Sequence, residues 1–212
     1  GHGGDAGRRD PADFTLARAL ERVGAAGDWP TDLVGYSMGG RIALHFAAAH
    51  PERVRRLVLE SASPGLATEA ERNARRDADE ALASGLLRDG IGAFVDRWED
   101  QPLFASRAAL DSAVRRRQRE LRLRNDPDSL AAALRGLGTG SLPSLWERLS
   151  EIETPTLVLV GALDAKFVDV GRRMAAAMPN ARLVEVAGAG HTVHLERPGA
   201  WLEAVTGFLA AS

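Results

Sequence analysis

The sequence predicts an α/β protein with a mostly parallel sheet and an inserted helical segment. Three observations indicate this fold class. Short β-prone runs alternate with segments of helical spacing, polar residues follow several of these runs, and a long stretch rich in Ala, Leu, Arg and Glu interrupts the alternation. Because open α/β sheets place their sites at the carboxyl ends of the strands, those polar residues are candidates for a functional site.

Four runs are predicted as strands, and each is followed by a turn or helix signal. They are Asp32–Gly35, Val54–Glu60, Thr156–Val160 and Arg182–Val186. The continuous apolar run in the third is typical of a strand buried on both faces. Helices are predicted over Ile42–His50, from about Val168 and from about Pro198.

The pattern changes between Ser61 and Trp146, where β-prone runs give way to helical spacing. Four helices are predicted in this stretch: Thr68–Gly85, Ile91–Trp98, Arg107–Leu123 and Ser129–Leu137. Gly and Pro separate them. The sequence therefore predicts a core formed by residues 1–60 and 147–212, with residues 61–146 as a helical cap insertion that would lie over the site.

Ser37 lies in the run Val-Gly-Tyr-Ser-Met-Gly-Gly-Arg, which starts at Val34 and joins a predicted strand to a predicted helix. The Gly-x-Ser-x-Gly pattern in this context is typical of a nucleophile elbow, which exposes the serine hydroxyl above the sheet. Such a turn holds the serine in a sparsely populated backbone conformation, and Gly35 and Gly39 would let strand and helix approach closely. A structural turn without chemistry is the alternative.

Asp164 is the candidate acid, since it follows the carboxyl end of the third predicted strand. It could instead cap the next helix, and Asp169 is a rival carboxylate. His191 is the candidate base, because it follows the last predicted strand and completes the order Ser, Asp, His. His194 is its competitor.

In this arrangement Asp164 would fix the tautomer of His191, and His191 would take a proton from or through Ser37. The backbone N–H of Met38 would donate to a developing oxyanion. A second oxyanion donor is expected in a loop after an earlier strand, which this sequence does not contain.

Composition excludes several classes of function. A net charge of −2 argues against generic nucleic-acid binding, and zero cysteine excludes disulfides and thiolate metal sites. His191 and His194 have no obvious third ligand, so no metal site is expected. The glycine-rich segments lack nucleotide-binding fingerprints, so no cofactor is expected either. No long uncharged apolar run or secretory signal is visible, so we expect a cytoplasmic protein without a membrane partner.

Seven segments spread over nearly the whole chain carry a family resemblance. They are Gly35–Arg41, Ser63–Leu66, Glu71-Arg72 with Arg75, Trp98–Phe104, Leu123–Asn125, Asp164–Phe167 and Gly190–His194. Together they closely resemble the menaquinone-biosynthesis lyases usually called MenH, which belong to the α/β-hydrolase superfamily and make 2-succinyl-6-hydroxy-2,4-cyclohexadiene-1-carboxylate.

The resemblance implies an elimination of pyruvate from 2-succinyl-5-enolpyruvyl-6-hydroxy-3-cyclohexene-1-carboxylate. The triad would act as a base without adding water. By similarity, the residues that line the site are Tyr36, Arg41, Arg75, Trp98 and an arginine near Arg122 or Arg124, with Arg122 preferred. Arginines suit a small anionic substrate with several carboxylates, whereas Arg115, Arg116, Arg117 and Arg119 are expected to form a solvated helix face.

The segment Gly1–Asp5 is similar to the glycine-rich loop after the fourth strand of an α/β-hydrolase domain. This similarity predicts that the earlier strands, roughly 50 to 70 residues, are missing from the chain. Two alternative functions remain open. One is a cofactor-free hydrolase of carboxylic esters or C–C bonds that uses Ser37 covalently, and the other is a non-catalytic, hydrolase-like binding protein.

Overall fold

The computed structural model describes residues 7–211 and contains a four-stranded parallel sheet. The strands are β1 (Thr31–Tyr36), β2 (Val54–Glu60), β3 (Thr156–Gly161) and β4 (Ala181–Val186), in the order β1-β2-β3-β4. All three pairings are parallel. The predicted α/β class is confirmed, and each predicted strand is present within one residue at its ends. The segment Gly1–Asp5, which is similar in sequence to a glycine-rich loop, lies outside the described residues.

Within residues 7–211 there are eight α-helices, one before the first strand and seven between or after the strands. They are α1 (Leu16–Gly24), α2 (Met38–Ala49), α3 (Glu69–Glu99), α4 (Ser112–Leu123), α5 (Pro127–Leu137), α6 (Ala165–Ala177), α7 (Val193–Glu196) and α8 (Pro198–Ala210). Short 3-10 helices occupy Pro11–Phe14, Pro51–Arg53, Pro102–Ala109 and Trp146–Glu151. Helix α1 was not predicted from the sequence.

The helices predicted between the second and third strands need one correction. The first two lie within α3, and the break predicted between them is present at Gly90, whose backbone is non-helical with φ of 81° and ψ of 171°. The predicted helix Arg107–Leu123 starts too early, because Pro102–Ala109 is a separate 3-10 helix and Asp111 caps α4 at Ala113. An aspartate side chain that accepts an N–H of the first turn fixes the first residue of a helix, which hydrophobic spacing alone does not define.

The chain divides into two compact units. The first contains residues up to Arg22, Gly65–Pro102 and Leu110–Ser144. Its buried cluster lies between α3 and α5 and consists of Ala83, Leu86, Phe94, Val95, Leu130 and Ala131. The large apolar side chains of this cluster recur at helical spacing, so burial of their shared face stabilises the helix pair.

The second unit contains Val23–Pro64, Leu103–Ala109 and Leu145–Ser212, and it holds the whole sheet. Strand β3 is buried along its full length. Its side chains join a cluster with α7, α8 and the loop before α7, formed by Val58, Leu157, Leu159, Val186, Ala189, Val193 and Val205. Packing on this face of the sheet fixes the loop that carries His191.

Candidate active site

Ser37 occupies the turn between β1 and α2 with φ of 49° and ψ of −112°. A positive φ is uncommon for a residue other than glycine and costs on the order of 1–3 kcal/mol. The turn is held in place because the Ser37 N–H donates to the carbonyl of Glu60 at 2.8 Å and α2 begins at the next residue. The predicted strained serine between strand and helix is therefore present.

The close approach of β1 and α2 depends on Gly35 and Gly40. A Cβ on Gly35 would lie 2.6 Å from the Cα of Gly40, and a Cβ on Gly40 would lie 2.5 Å from the Cβ of Ala62. Gly39 has open space around its Cα instead. The prediction that glycine allows strand and helix to approach closely was right for Gly35 and wrong for Gly39. Because successive helix residues face different directions, Gly39 faces away from the strand and Gly40 faces it.

Three side chains form a hydrogen-bonded chain at the carboxyl ends of the strands. The Ser37 Oγ lies 3.0 Å from Nε2 of His191, and Nδ1 of His191 lies 2.8 Å from Oδ2 of Asp164. An ionised carboxylate only accepts hydrogen bonds, so Nδ1 carries the donated proton and Nε2 is left to accept from the serine hydroxyl. This arrangement gives Ser37 a base within hydrogen-bond reach.

Burial strengthens this chain of hydrogen bonds. The side chains of His191 and Asp164 are only 1% and 6% exposed. Oδ1 of Asp164 also accepts the N–H of Phe167 at 3.3 Å, so the carboxylate caps α6 as well as binding His191. The two interpretations of Asp164 are therefore compatible. The rival Asp169 is exposed on α6 and lies 3.7 Å from Arg173.

Aromatic rings surround the imidazole of His191. The ring centroids of Phe167, Tyr36 and Phe104 lie 4.6, 5.5 and 5.9 Å from it. Phe104 comes from Pro102–Ala109, a segment that the sequence analysis assigned to the helical insertion as a whole. Apolar rings exclude water from the imidazole and restrict its rotation.

The competitor His194 is held by a different carboxylate. Its Nδ1 donates to Oε1 of Glu60 at 2.8 Å, and its backbone N–H donates to the same oxygen at 3.1 Å. The indole N–H of Trp201 donates to Oε2 of Glu60 at 2.9 Å. Glu60 is almost fully buried at the end of β2. His194 therefore belongs to a separate network and does not contact Ser37 in these hydrogen bonds.

Tyr36, Met38 and Arg41 flank Ser37 in sequence and lie in the same unit. The Tyr36 hydroxyl lies 3.2 Å from Oγ1 of Thr192, next to His191 in the chain. Met38 is the first residue of α2, where backbone N–H groups have no partner inside the helix and can therefore bind an anion. The N–H of Arg41 donates to the carbonyl of Ser37 at 3.0 Å, which places Arg41 one turn along the helix.

Arg75, Trp98 and Arg122 belong to the first unit. Arg75 binds the buried Asp79 through Nε at 2.9 Å. Trp98 stacks on Phe94 at 5.7 Å and packs against the apolar cluster of that unit. These contacts fix the orientation of both side chains.

The arginines of α4 divide into two groups. Arg122 donates to Oε1 of Glu99 at 3.0 Å, and Arg119 donates to Oε2 of the same glutamate at 3.0 Å. Arg124, the other candidate, is exposed at the end of α4. Arg115, Arg116 and Arg117 are exposed, as a solvated face requires. Arg119 departs from that expectation because it is partly buried in ion pairs.

Residues 7–211 contain no group of three or more His, Cys, Asp or Glu side chains placed to hold a metal ion. In the same range no helix is both long and apolar enough to cross a membrane.

The family described as alpha/beta hydrolase fold matches residues 1–198. The chain is also 35% identical to the 2-succinyl-6-hydroxy-2,4-cyclohexadiene-1-carboxylate synthase of Klebsiella pneumoniae (strain 342), over 84% of this chain and 68% of that protein. A Bacillus subtilis (strain 168) protein with the same activity in its name is 48% identical over 84% of this chain. The chain spans 65% of the length of that relative.

Among solved structures, MenH from S. aureus superimposes with a TM-score of 0.91 and is 38% identical. The superposition covers 99% of this chain and 80% of that protein. A protein from Salmonella paratyphi C named as the same synthase is 32% identical over 99% of this chain and 80% of its own length. The similarity therefore extends over both units.

Proposed function

The chain belongs to the family of 2-succinyl-6-hydroxy-2,4-cyclohexadiene-1-carboxylate synthases within the alpha/beta hydrolase fold, and on this basis we propose that it catalyses the same elimination. The substrate would be 2-succinyl-5-enolpyruvyl-6-hydroxy-3-cyclohexene-1-carboxylate, which loses pyruvate to give the cyclohexadiene. The observation that carries the proposal is the hydrogen-bonded chain from Ser37 through His191 to Asp164. It supplies a base within hydrogen-bond reach of the Ser37 hydroxyl.

The base would act on the ring proton next to the succinyl ketone. Ser37 removes this proton as His191 takes the hydroxyl proton through Nε2, which lies 3.0 Å from Oγ. The imidazolium that forms is stabilised by Asp164 at 2.8 Å. The C–H electron pair moves into an enolate of the succinyl ketone.

Collapse of the enolate would form the C2–C3 double bond, move the existing ring double bond from C3–C4 to C4–C5 and break the C5–O bond, which expels enolpyruvate. A proton from His191 restores neutrality as enolpyruvate becomes pyruvate, so atoms and charges balance without water. The N–H of Met38, at the start of α2, would donate to the enolate oxygen. The positive end of the helix dipole favours the same charge.

Substrate recognition would rest on guanidinium groups, because the proposed substrate carries several carboxylates. Arg41, Arg75 and Arg122 are assigned this role, with Tyr36 and Trp98 as packing partners of the substrate. Guanidinium presents a planar pair of donors that matches a carboxylate. The ion pair of Arg75 with Asp79 orients one edge of its guanidinium in advance.

Hydrolysis of an ester or C–C bond through an acyl-Ser37 is the second candidate, because the same Oγ–Nε2 distance of 3.0 Å suits a nucleophile. Rapid acid quench followed by intact-mass measurement distinguishes the two reactions. We expect stoichiometric pyruvate release from the enolpyruvyl substrate, no substrate-derived mass on Ser37 and no solvent ¹⁸O in the cyclohexadiene product.

Ser37→Ala serves as the control in this experiment, since both mechanisms require the hydroxyl and neither survives its removal. A trapped acyl-Ser37 on the route to product would overturn the elimination and establish the hydrolase. If the protein released no pyruvate but hydrolysed esters through Ser37, the elimination would likewise be overturned in favour of the hydrolase.

A further inference from the structure

Glu196 ends α7, five residues after the proposed base, and is only 7% exposed. Its carboxylate accepts two backbone hydrogen bonds. The N–H of Gly190 donates to Oε2 at 2.7 Å, and the N–H of Thr192 donates to Oε1 at 3.0 Å. These two amides are on either side of His191. One buried side chain therefore holds the backbone both before and after the residue that bears the imidazole.

The chemistry of this contact favours a carboxylate. Burial of a charge is costly unless hydrogen bonds compensate it, and here both oxygens of Glu196 accept from amides that the loop would otherwise leave unsatisfied. The two oxygens lie in one plane at a fixed separation, so they define the spacing of the two amides. An amide side chain has a single acceptor oxygen and could satisfy only one of them.

Close packing leaves the loop little room to adapt. A Cβ on Gly190 would collide with the side chain of Ser106, and a Cβ on Gly161 would collide with the carbonyl oxygens of Ala189 and Gly190. The backbone of the loop is thus held by β3 and by Glu196, whereas the imidazole is held at Nδ1 by Asp164. The position of Nε2 relative to Ser37 depends on both anchors.

We propose that Glu196 is a positioning residue that sets the reach of His191 to Ser37 through the two amides flanking the base. The proposal rests on the assignment of His191 as the base in the proposed function. It predicts that loss of one acceptor oxygen impairs proton transfer between Ser37 and His191 more than it weakens substrate binding.

Glu60 provides a matched control. It is also a buried glutamate, 1% exposed, and it binds the same stretch of chain through the backbone and Nδ1 of His194. It contacts neither amide next to His191 in these hydrogen bonds. Glu60→Gln therefore makes the same chemical change in a comparable environment without altering the anchor of the base.

The experiment measures the second-order rate at which a fluorophosphonate probe labels Ser37 in the wild-type protein, Glu196→Gln and Glu60→Gln. Labelling requires activated Ser37 but not the enolpyruvyl substrate, so its outcome is independent of whether the elimination is the true reaction. Thermal unfolding of each variant is followed by circular dichroism, and labelling is carried out well below the lowest midpoint. Where the elimination assay is active, kcat and KM are measured as well.

We expect Glu196→Gln to be labelled roughly tenfold or more slowly than wild type, since a displacement of about 1 Å can reduce a rate by up to about a hundredfold. Glu60→Gln should be labelled within about twofold of wild type. The loss in the elimination should fall on kcat, with KM little changed. Equal labelling of Glu196→Gln and wild type, or equal slowing of both variants, would overturn the proposal.

Glu196→Asp covers the case in which Glu196→Gln does not fold. Aspartate keeps both acceptor oxygens but withdraws them by one methylene group. We then expect slower labelling of the folded variant by about threefold or more, because the amides must move to follow the carboxylate. Labelling at the wild-type rate would contradict a positioning role.

Discussion

Asp164 accepts a hydrogen bond from Nδ1 of His191 at 2.8 Å through one carboxylate oxygen and caps helix α6 through the other. The two oxygens therefore serve different purposes. Oδ2 orients the imidazole, and Oδ1 satisfies the N–H of Phe167 in the first turn of the helix. A substitution that affects both oxygens combines a loss of activity with a loss of stability.

We expect Asp164→Asn to lower kcat by about 10⁴-fold, because an amide N–H in place of Oδ2 favours the wrong tautomer of His191. The asparagine side chain can still cap α6, so the thermal midpoint should change little, whereas Asp164→Ala should lose about 1 kcal/mol of unfolding free energy in addition. Steady-state kinetics and thermal unfolding of both variants test this separation.

Asp169→Asn is the control for this pair, since Asp169 is the exposed carboxylate on α6 and its side chain is 70% accessible. Its activity should match wild type. A comparable loss of kcat in Asp169→Asn would show that the nearby negative charge, and not the contact with Nδ1, supports the base.

The adjacent glycines Gly39 and Gly40 are expected to respond oppositely to alanine. A Cβ on Gly40 would lie 2.5 Å from the Cβ of Ala62 and 2.9 Å from the carbonyl oxygen of Gly35, whereas a Cβ on Gly39 meets nothing within 4 Å. Gly40→Ala should therefore destabilise the protein by about 1–3 kcal/mol through overpacking. Gly39→Ala should be neutral or stabilise by up to about 1 kcal/mol through helix propensity.

Chemical denaturation of the two variants measures this difference directly. The m-value should stay constant, so the change appears in the midpoint. If both alanines shift the midpoint by the same amount, the close approach of β1 and α2 does not depend on Gly40.

The local sequence pattern was sufficient to predict the four strands of the sheet. A buried strand such as β3 needs a run of apolar, β-prone residues, and this requirement can be read from six consecutive positions. The turn at Ser37 was also readable, because a strained strand-to-helix connection requires glycine at short, fixed spacing. Candidate acid and base residues followed from their position after strands.

The contacts around the candidate site could not be predicted in the same way, because they join residues that are distant in sequence. Glu60 and His194 are separated by 134 positions, and nothing in the run Val54–Glu60 distinguishes a buried glutamate from an exposed one. Phe104 was likewise assigned to the insertion as a whole, although its ring lies 5.9 Å from that of His191. Helical spacing identifies an apolar face but not the element it will contact.

Acid should weaken the pairing of α3 with α5 through Glu80. Arg135 binds both oxygens of Glu80 at 2.7 and 2.8 Å, and these hydrogen bonds, assisted by Ser84, lower the pKa of Glu80 from 4.5 to about 2. Because the folded-state pKa is depressed, the stabilisation is present above pH 4.5 and is lost as the pH falls towards 2.

Glu80→Gln should therefore lower the free energy of unfolding near neutral pH but have a smaller effect near pH 2. The change should stay below about 1 kcal/mol, since the Glu80 side chain is exposed and solvent screens the pair. Urea unfolding across this pH range tests the sign. Arg135→Ala should reduce the pH dependence of the unfolding free energy to the same extent. If the variant with both substitutions reduces this dependence further, another group is responsible for part of it.

The last prediction concerns the arginines assigned to substrate recognition. Arg41→Ala and Arg75→Ala should each lower kcat/KM about ten- to a hundredfold, because loss of a charge-assisted contact costs roughly 1.5–3 kcal/mol. Arg116→Ala is the control, since the Arg116 side chain is 71% exposed and its nearest carboxylate, Glu120, lies 3.9 Å away. Steady-state kinetics on the enolpyruvyl substrate compare the three variants. A similar loss at all three positions would mean that the arginines attract the substrate by their summed charge and not by the placement of particular guanidinium groups. Raising the salt concentration would then abolish the effect at all three positions alike.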